Sequence, residues 1–185
     1  MTDKLQAHPD LVILTMDQMS LYFQATLTRV WSPIGHTPIV RVAPQRDHVH
    51  FYGVLDVRTG RDIAVTAPEQ TNEVTADFLR ILLLLFPNRP ILLLLDRAPW
   101  HHGPAINDIL AEHDCLELMY FPPACPDLNP QEHVWGQTRE TISHNHDYSC
   151  FDTLISDFEA HLNETPFETD FMEKYGPPIN CAIWN

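Results

Sequence analysis

Positive charge is scarce in this chain of 185 residues: 11 Lys and Arg stand against 25 Asp and Glu, for a net charge of −14. A polyanion would be repelled by most of such a surface, so tight unaided binding to a nucleic acid duplex is not expected. The deficit is uneven. Residues 1–27 carry −2 and residues 28–65 carry +2, with five arginines (Arg29, Arg41, Arg46, Arg58 and Arg61) against three aspartates. Residues 66–139 carry −6 and residues 140–185 carry −8. Charged residues make up 19% of the chain, below the usual share of about 25%. Hydrophobic residues reach 44%, so disorder is excluded, and a chain this long buries roughly 70% of its unfolded surface on folding.

Other absences narrow the function classes. The most apolar stretch, Leu79 to Leu95, is interrupted by Pro87-Asn88-Arg89-Pro90, and neither half approaches the ~18 residues needed to span a bilayer. The four cysteines, at positions 115, 125, 150 and 181, show no CxxC or other paired spacing. With no signal peptide they read as reduced thiols in a cytoplasmic protein. No serine nucleophile elbow, P-loop or dinucleotide fingerprint is present. His48-x-His50, His101-His102 and His144-x-His146 lack cysteine partners at finger spacing, so they do not make a structural zinc site. Cys125 sits between prolines, an unsuitable setting for a thiol nucleophile.

What is present is a change of pattern along the chain. Leu11–Met16 is a short apolar run read as a buried strand ending at Asp17. Thr26–Val42 has strand-forming residues around a turn at Ser32-Pro33-Ile34-Gly35, and His48–Val57 is a further strand tightly connected to Asp62–Thr66. After this antiparallel start, a helix is expected over Thr71–Phe86 with Thr71 or Asn72 as its N-cap. A strand Ile91–Leu95, a helix Pro104–His113 and a strand Leu116–Phe121 follow, then helices over 129–143 and 151–163. The order predicts an α/β fold: a mixed sheet, antiparallel first and then β-α-β-α, with helices on both faces. No repeat or linker is seen, so 1–185 is read as one domain, with a core over about 10–165 and an irregular tail over 166–185.

Two acidic residues share a setting. Asp17 and Asp96 each follow an apolar run, where an ionised carboxylate loses solvation unless a cation or hydrogen-bond donors compensate. Ligands of open α/β sheets bind beyond the carboxyl ends of strands, although Asp also ends strands simply because it starts turns. Glu132 lies in Pro126-Asp127-Leu128-Asn129-Pro130-Gln131-Glu132. There Asn129 fits an N-cap, Pro130 the first helical position and Glu132 the third, so a capping-box role competes with a ligand role. Three carboxylates from separate elements suit Mg2+ or Mn2+. Two such ions can activate water, stabilise a leaving oxygen and hold a phosphodiester for in-line attack.

Several segments together resemble the DDE transposases of bacterial insertion sequences, in the branch related to the mariner elements. They are Met16-Asp17-Gln18, Arg29-Val30-Trp31-Ser32-Pro33-Ile34-Gly35-His36-Thr37-Pro38, Leu95-Asp96-Arg97-Ala98-Pro99-Trp100-His101, and the block from Phe121 through Glu132 to Trp135. Thirty-five residues separate Asp96 from Glu132, within the family's range. The resemblance covers about residues 10–165. It implies a ribonuclease H-like fold, a catalytic and metal-binding triad of Asp17, Asp96 and Glu132, and a cofactor of Mg2+ or Mn2+, as two ions. It also implies cleavage of DNA at element ends followed by joining of the freed 3′-hydroxyl to target DNA, with a homodimer as a further possibility. The residue after the first Asp is often Glu in relatives and is Gln18 here; being adjacent on a strand, it should face away from Asp17, with little effect. Relatives carry a helix-turn-helix DNA-binding region before the catalytic domain, and only about ten residues precede the first strand here. A separate or upstream part is therefore expected to bring DNA, in a bacterial cytoplasmic, nucleoid-associated setting.

Arg29, Arg97, His101 and Arg139 are the candidate contacts to DNA phosphate, with ordinary ion pairs or a surface-loop role as the alternatives. Trp31 and Trp135 read as core or sheet-covering residues. Two competing functions are a catalytically silent, transposase-derived remnant that binds a protein partner, and another ribonuclease H-like nuclease.

Overall fold

The computed structural model describes residues 10–41, 45–123 and 125–176. Five strands form one sheet: β1 (Val12–Tyr22), β2 (His48–Asp56), β3 (Asp62–Ala67), β4 (Ile91–Leu95) and β5 (Leu116–Tyr120). Their order across the sheet is β3-β2-β1-β4-β5. β1 pairs antiparallel with β2, and β2 with β3, while β4 runs parallel to both β1 and β5. The antiparallel start and the later β-α-β alternation are thus both present. The helices are α1 (Asn72–Leu85), α2 (Pro104–Glu112), α3 (Pro130–Thr138), α4 (Phe151–Glu164) and the short α5 (Phe171–Tyr175). Among the described residues no helix is long and apolar enough to cross a membrane.

Strand alternation sends successive β1 side chains to opposite layers. Leu14 and Met16, with Tyr52 and Val54 of β2, pack under α1 and α2 against Phe78, Leu79, Leu82, Ile106 and Ile109. On the other face Met19, Leu21, Phe51 and Leu55 meet Val134 and Trp135 of α3 and Leu154, Phe158 and Leu162 of α4. A third cluster joins Ile13, Leu92, Leu94 and Phe121 to Phe171 of α5. Every residue of β4 is buried, as an all-apolar central parallel strand requires. Burying one such Leu or Phe contributes about 1.5–3 kcal/mol. Thr71 caps α1, its Oγ1 accepting from Val74 N–H at 3.3 Å.

Three expectations need correction. β1 does not stop at Met16 but runs on to Tyr22, because β2 supplies an antiparallel partner as far as the Tyr22–His48 pair. The segment from Thr26 forms no strand through residue 41; Val42 lies outside the described residues. It makes only an isolated bridge at Thr26, to His144. Pro33 and Pro38 have no N–H to give a ladder, and Trp31, Ile34 and Ile39 are fully or almost fully exposed, so Trp31 is not a core residue. The expected turn is there: Gly35 takes φ +86°, and His36 N–H donates to Pro33 O at 3.0 Å. Finally, the tail read as irregular contains α5; residues beyond 176 lie outside the described part, Cys181 among them. Cys115, Cys125 and Cys150 are free thiols.

Candidate metal centre

β1 and β4 stay paired from Val12–Ile91 to Thr15–Leu94 and then part. Asp17 is the second β1 residue past that pairing, and Asp96 directly follows β4. Asp17 is therefore at a carboxyl end with respect to β4, although it lies in the middle of a strand with respect to β2. Glu132 comes from above, in the first turn of α3. All three carboxylates line one cavity of about 310 Å³, together with Arg97, Asn129 and the Pro122-Pro123 corner.

The capping-box role expected for Glu132 is not taken up. The Asn129 side chain caps α3, its Oδ1 accepting from Gln131 N–H at 3.2 Å and its Nδ2 donating to Met16 O at 3.1 Å. The Asn129 N–H, which a capping box would give to Glu132, donates to Pro126 O at 2.8 Å. Glu132 is left exposed at the cavity. The Asn129–Met16 bond ties the start of α3 to the strand residue before Asp17.

Asp17 is covered by α3. Trp135, fully buried, donates its indole N–H to Asp17 Oδ2 at 3.2 Å. This approach depends on Gly53, the β2 residue paired with Asp17: a Cβ there would overlap the Trp135 ring and the Gln131 amide. Burial pushes the Asp17 carboxyl up to about 7, the negative charges of Glu132 and Asp96 add to the rise, and the Gln18 N–H and the Trp135 indole oppose it. Asp96 is displaced the other way. A hydrogen bond from His101 holds it below the usual carboxylate range despite some burial, with the Ala98 N–H helping. Both donors engage Oδ1, at 2.7 Å from His101 Nδ1 and 3.0 Å from Ala98 N.

Hard carboxylate oxygens, two of which add to the raised proton affinity of Asp17, suit a divalent cation such as Mg2+ or Mn2+. Among the described residues no three acidic, His or Cys groups are gathered closely enough to enclose one ion as they stand. The three carboxylates line one cavity without closing on a single point.

The other candidates are dispersed. Arg97 is on the cavity wall, its Nε donating to Phe121 O at 3.3 Å and its guanidinium 5.8 Å from the Tyr120 ring centre. Arg29 is exposed on the extended segment, and Arg139 is half-buried where α3 continues into a π-helical turn. His101 is corrected: it is fully buried with both ring nitrogens engaged, so it cannot reach a phosphate. Sequence reasoning missed Gly53 and Trp135 as walls of the Asp17 site and Gln18 as a partner of His101. Alternation placed Gln18 opposite Asp17, but nothing in the sequence showed what waits on that face.

A mixed sheet in this order, with helices on both faces and acids where its two central strands part, is the ribonuclease H-like fold. Residues 12–155 match the DDE superfamily endonuclease family, and the chain belongs to it. An uncharacterized protein, y4pE/y4sA, of Sinorhizobium fredii (strain NBRC 101917 / NGR234) is 28% identical over 116 residues, 62% of this chain and 83% of that protein. Among solved structures, the Mos1 transposase paired-end complex with left transposon end aligns with a TM-score of 0.65 at 14% identity. That alignment covers 93% of this chain and 56% of the Mos1 chain, so this chain spans little more than half of that transposase's length. The catalytic domain of Mos1 mariner transposase aligns with a TM-score of 0.55 at 13% identity, covering 88% and 82% of the two chains.

Proposed function

We propose that this chain is the catalytic part of a transposase, which cuts DNA at the ends of an insertion sequence and joins the freed 3′-hydroxyl to target DNA. Asp17, Asp96 and Glu132 would hold the metal ions, two Mg2+ or Mn2+. The observation carrying this reading is their convergence, from three separate elements, on one cavity where Asp17 responds to the charge of the other two. Family membership supports it, as do similar structures of Mos1, which include paired-end complexes with Mn and with Mg and a strand transfer complex.

Held by Asp17, Asp96 and Glu132, a pair of divalent cations would supply charge neutralisation at the phosphate and activation of the attacking group for in-line displacement. The chain's own contribution is orientation. Trp135 holds Asp17 by one oxygen, His101 and Ala98 hold Asp96 by one oxygen, and Asn129 fixes the turn that carries Glu132. Arg97, on the cavity wall, is the cation best placed to steady a DNA phosphate; Arg29 and Arg139 would act further out. The chain's net charge of −14 means that DNA must be delivered by another part, a helix-turn-helix region upstream or on a separate chain, with a homodimer as the working assembly.

The test is nicking of DNA bearing element ends, with Mg2+ or Mn2+. Even residues behind a metal ligand typically cost 10–100-fold when lost, so Asp96→Asn should lower the rate by at least about 100-fold. Equal rates in the variant would sink the triad. A wild-type chain that stays inert even with its DNA-delivering part supplied would favour the silent remnant.

A further inference from the structure

Gln18 faces away from Asp17 yet reaches the other carboxylate of the site through His101. Its Oε1 accepts the Trp100 indole N–H at 2.7 Å and lies 2.9 Å from His101 Nε2. An indole nitrogen only donates, so the amide must turn its oxygen toward Trp100. His101 Nε2 faces that same oxygen and must therefore donate as well. The other ring nitrogen, Nδ1, is 2.7 Å from Asp96 Oδ1 and 3.1 Å from Asp96 O, both acceptors. His101 thus lies within hydrogen-bond distance of an oxygen at each end, and its ring is fixed from both sides inside a fully buried site. The arrangement leaves the Gln18 Nε2 buried without a partner, an expense that mere packing would not require.

We propose that Gln18, Trp100 and His101 form a positioning clamp that holds the Asp96 carboxylate by Oδ1, leaving Oδ2 as the oxygen with which Asp96 takes a ligand. The ligating role of Asp96 rests on the function proposed above. Gln18 is the keystone, because its oxygen fixes His101 and Trp100 fixes the direction of that oxygen.

The clamp predicts a difference between two substitutions of similar size. Gln18→Glu keeps an acceptor for both donors and removes the orphaned amide hydrogen-bond donor. Gln18→Met keeps the length and removes the acceptor. In the metal-free protein, nitrogen-detected NMR of the His101 ring should show a protected hydrogen on Nε2 in the wild type and in Gln18→Glu. Gln18→Met should lose that hydrogen and move the Asp96 carboxyl carbon resonance. Calorimetric titration with Mn2+ should give a dissociation constant about 10–100-fold weaker for Gln18→Met, and none of that loss for Gln18→Glu. Trp100→Phe, a milder change that frees the Gln18 amide to turn over, should weaken the same ring signal and covers the case in which Gln18→Met fails to fold. Unchanged His101 and Asp96 resonances in Gln18→Met, or in Trp100→Phe should it be the one that folds, overturn the clamp whatever the metal result. A wild-type chain that takes up no Mn2+ while showing the protected Nε2 hydrogen overturns the metal reading and leaves the clamp standing.

Discussion

Asp17 and Asp96 both lie just past the stretch where β1 and β4 pair, yet their surroundings push them in opposite directions. Asp17 is roofed by α3, faces two negative charges and gains only an indole and one backbone N–H, so its carboxyl rises to about 7. Asp96 is half in solvent and takes a histidine and a backbone N–H on one oxygen, so its carboxyl falls. A like-charged cluster in a poorly solvated site need not hold full charge before a cation arrives. Here the fold puts the reluctance to ionise on the strand residue and the readiness on the loop residue. Binding a dication would then displace a proton from Asp17 and none from Asp96.

This contrast can be broken most severely at Gly53. Gly53→Ala drives a methyl into Trp135 and Gln131, and such overpacking costs about 1–3 kcal/mol. For a chain of this length each kcal/mol lowers Tm by about 2–4 °C, so thermal unfolding should show a drop of several degrees. An unchanged Tm would mean that α3 does not bear on the sheet where Asp17 sits. A smaller effect is expected from Asp17→Asn. The folded chain holds the Asp17 proton between the ordinary pKa of 3.8 and about 7, where the unfolded chain has released it, so stability declines as pH rises through that window and is level above it. Asp62, fully buried and also pushed up to about 7 by burial, contributes a slope of the same sign. Asp17→Asn should therefore raise Tm near pH 8, leave it unchanged near pH 4 and remove only part of the slope. A loss of Tm near pH 8 would count against a desolvated Asp17. The subtlest expectation is a proton count: at pH 7, Mg2+ or Mn2+ binding should release about half a proton from Asp17, read from calorimetry in buffers of different ionisation heat. Release of none would erase the distinction between the two aspartates.

The elements with strong local signals were readable from sequence. Ile91–Leu95 could be little else than a buried parallel strand, and Asn129-Pro130 marks the start of α3 by capping chemistry alone. Asp17 and Asp96 stood out because polar residues after apolar runs are costly, whereas Glu132 stood at a helix start where capping competed with a ligand role. Segments whose fate depends on distant partners were harder. Thr26 to residue 41 has strand-like residues but no ladder to join, whereas β1 outran its apolar run because β2 was there to pair with it. The Gly53–Trp135 contact and the Gln18–His101 bond join residues more than eighty positions apart, and no local pattern carries that information.

The parting of β1 from β4 after Thr15 has a further consequence, for the order of assembly. β1 acquires its parallel neighbour only once the hairpins and the α1 crossover are in place, and Glu132 is docked later in the chain still. Contacts of such long sequence separation form slowly, because loop closure opposes them. A nascent or truncated chain ending before α3 would hold two of the acids but neither the third nor the Trp135 roof. Under the function proposed above, the ability to cut would then arise only when the last layer of the fold closes, and no partly folded intermediate would carry it.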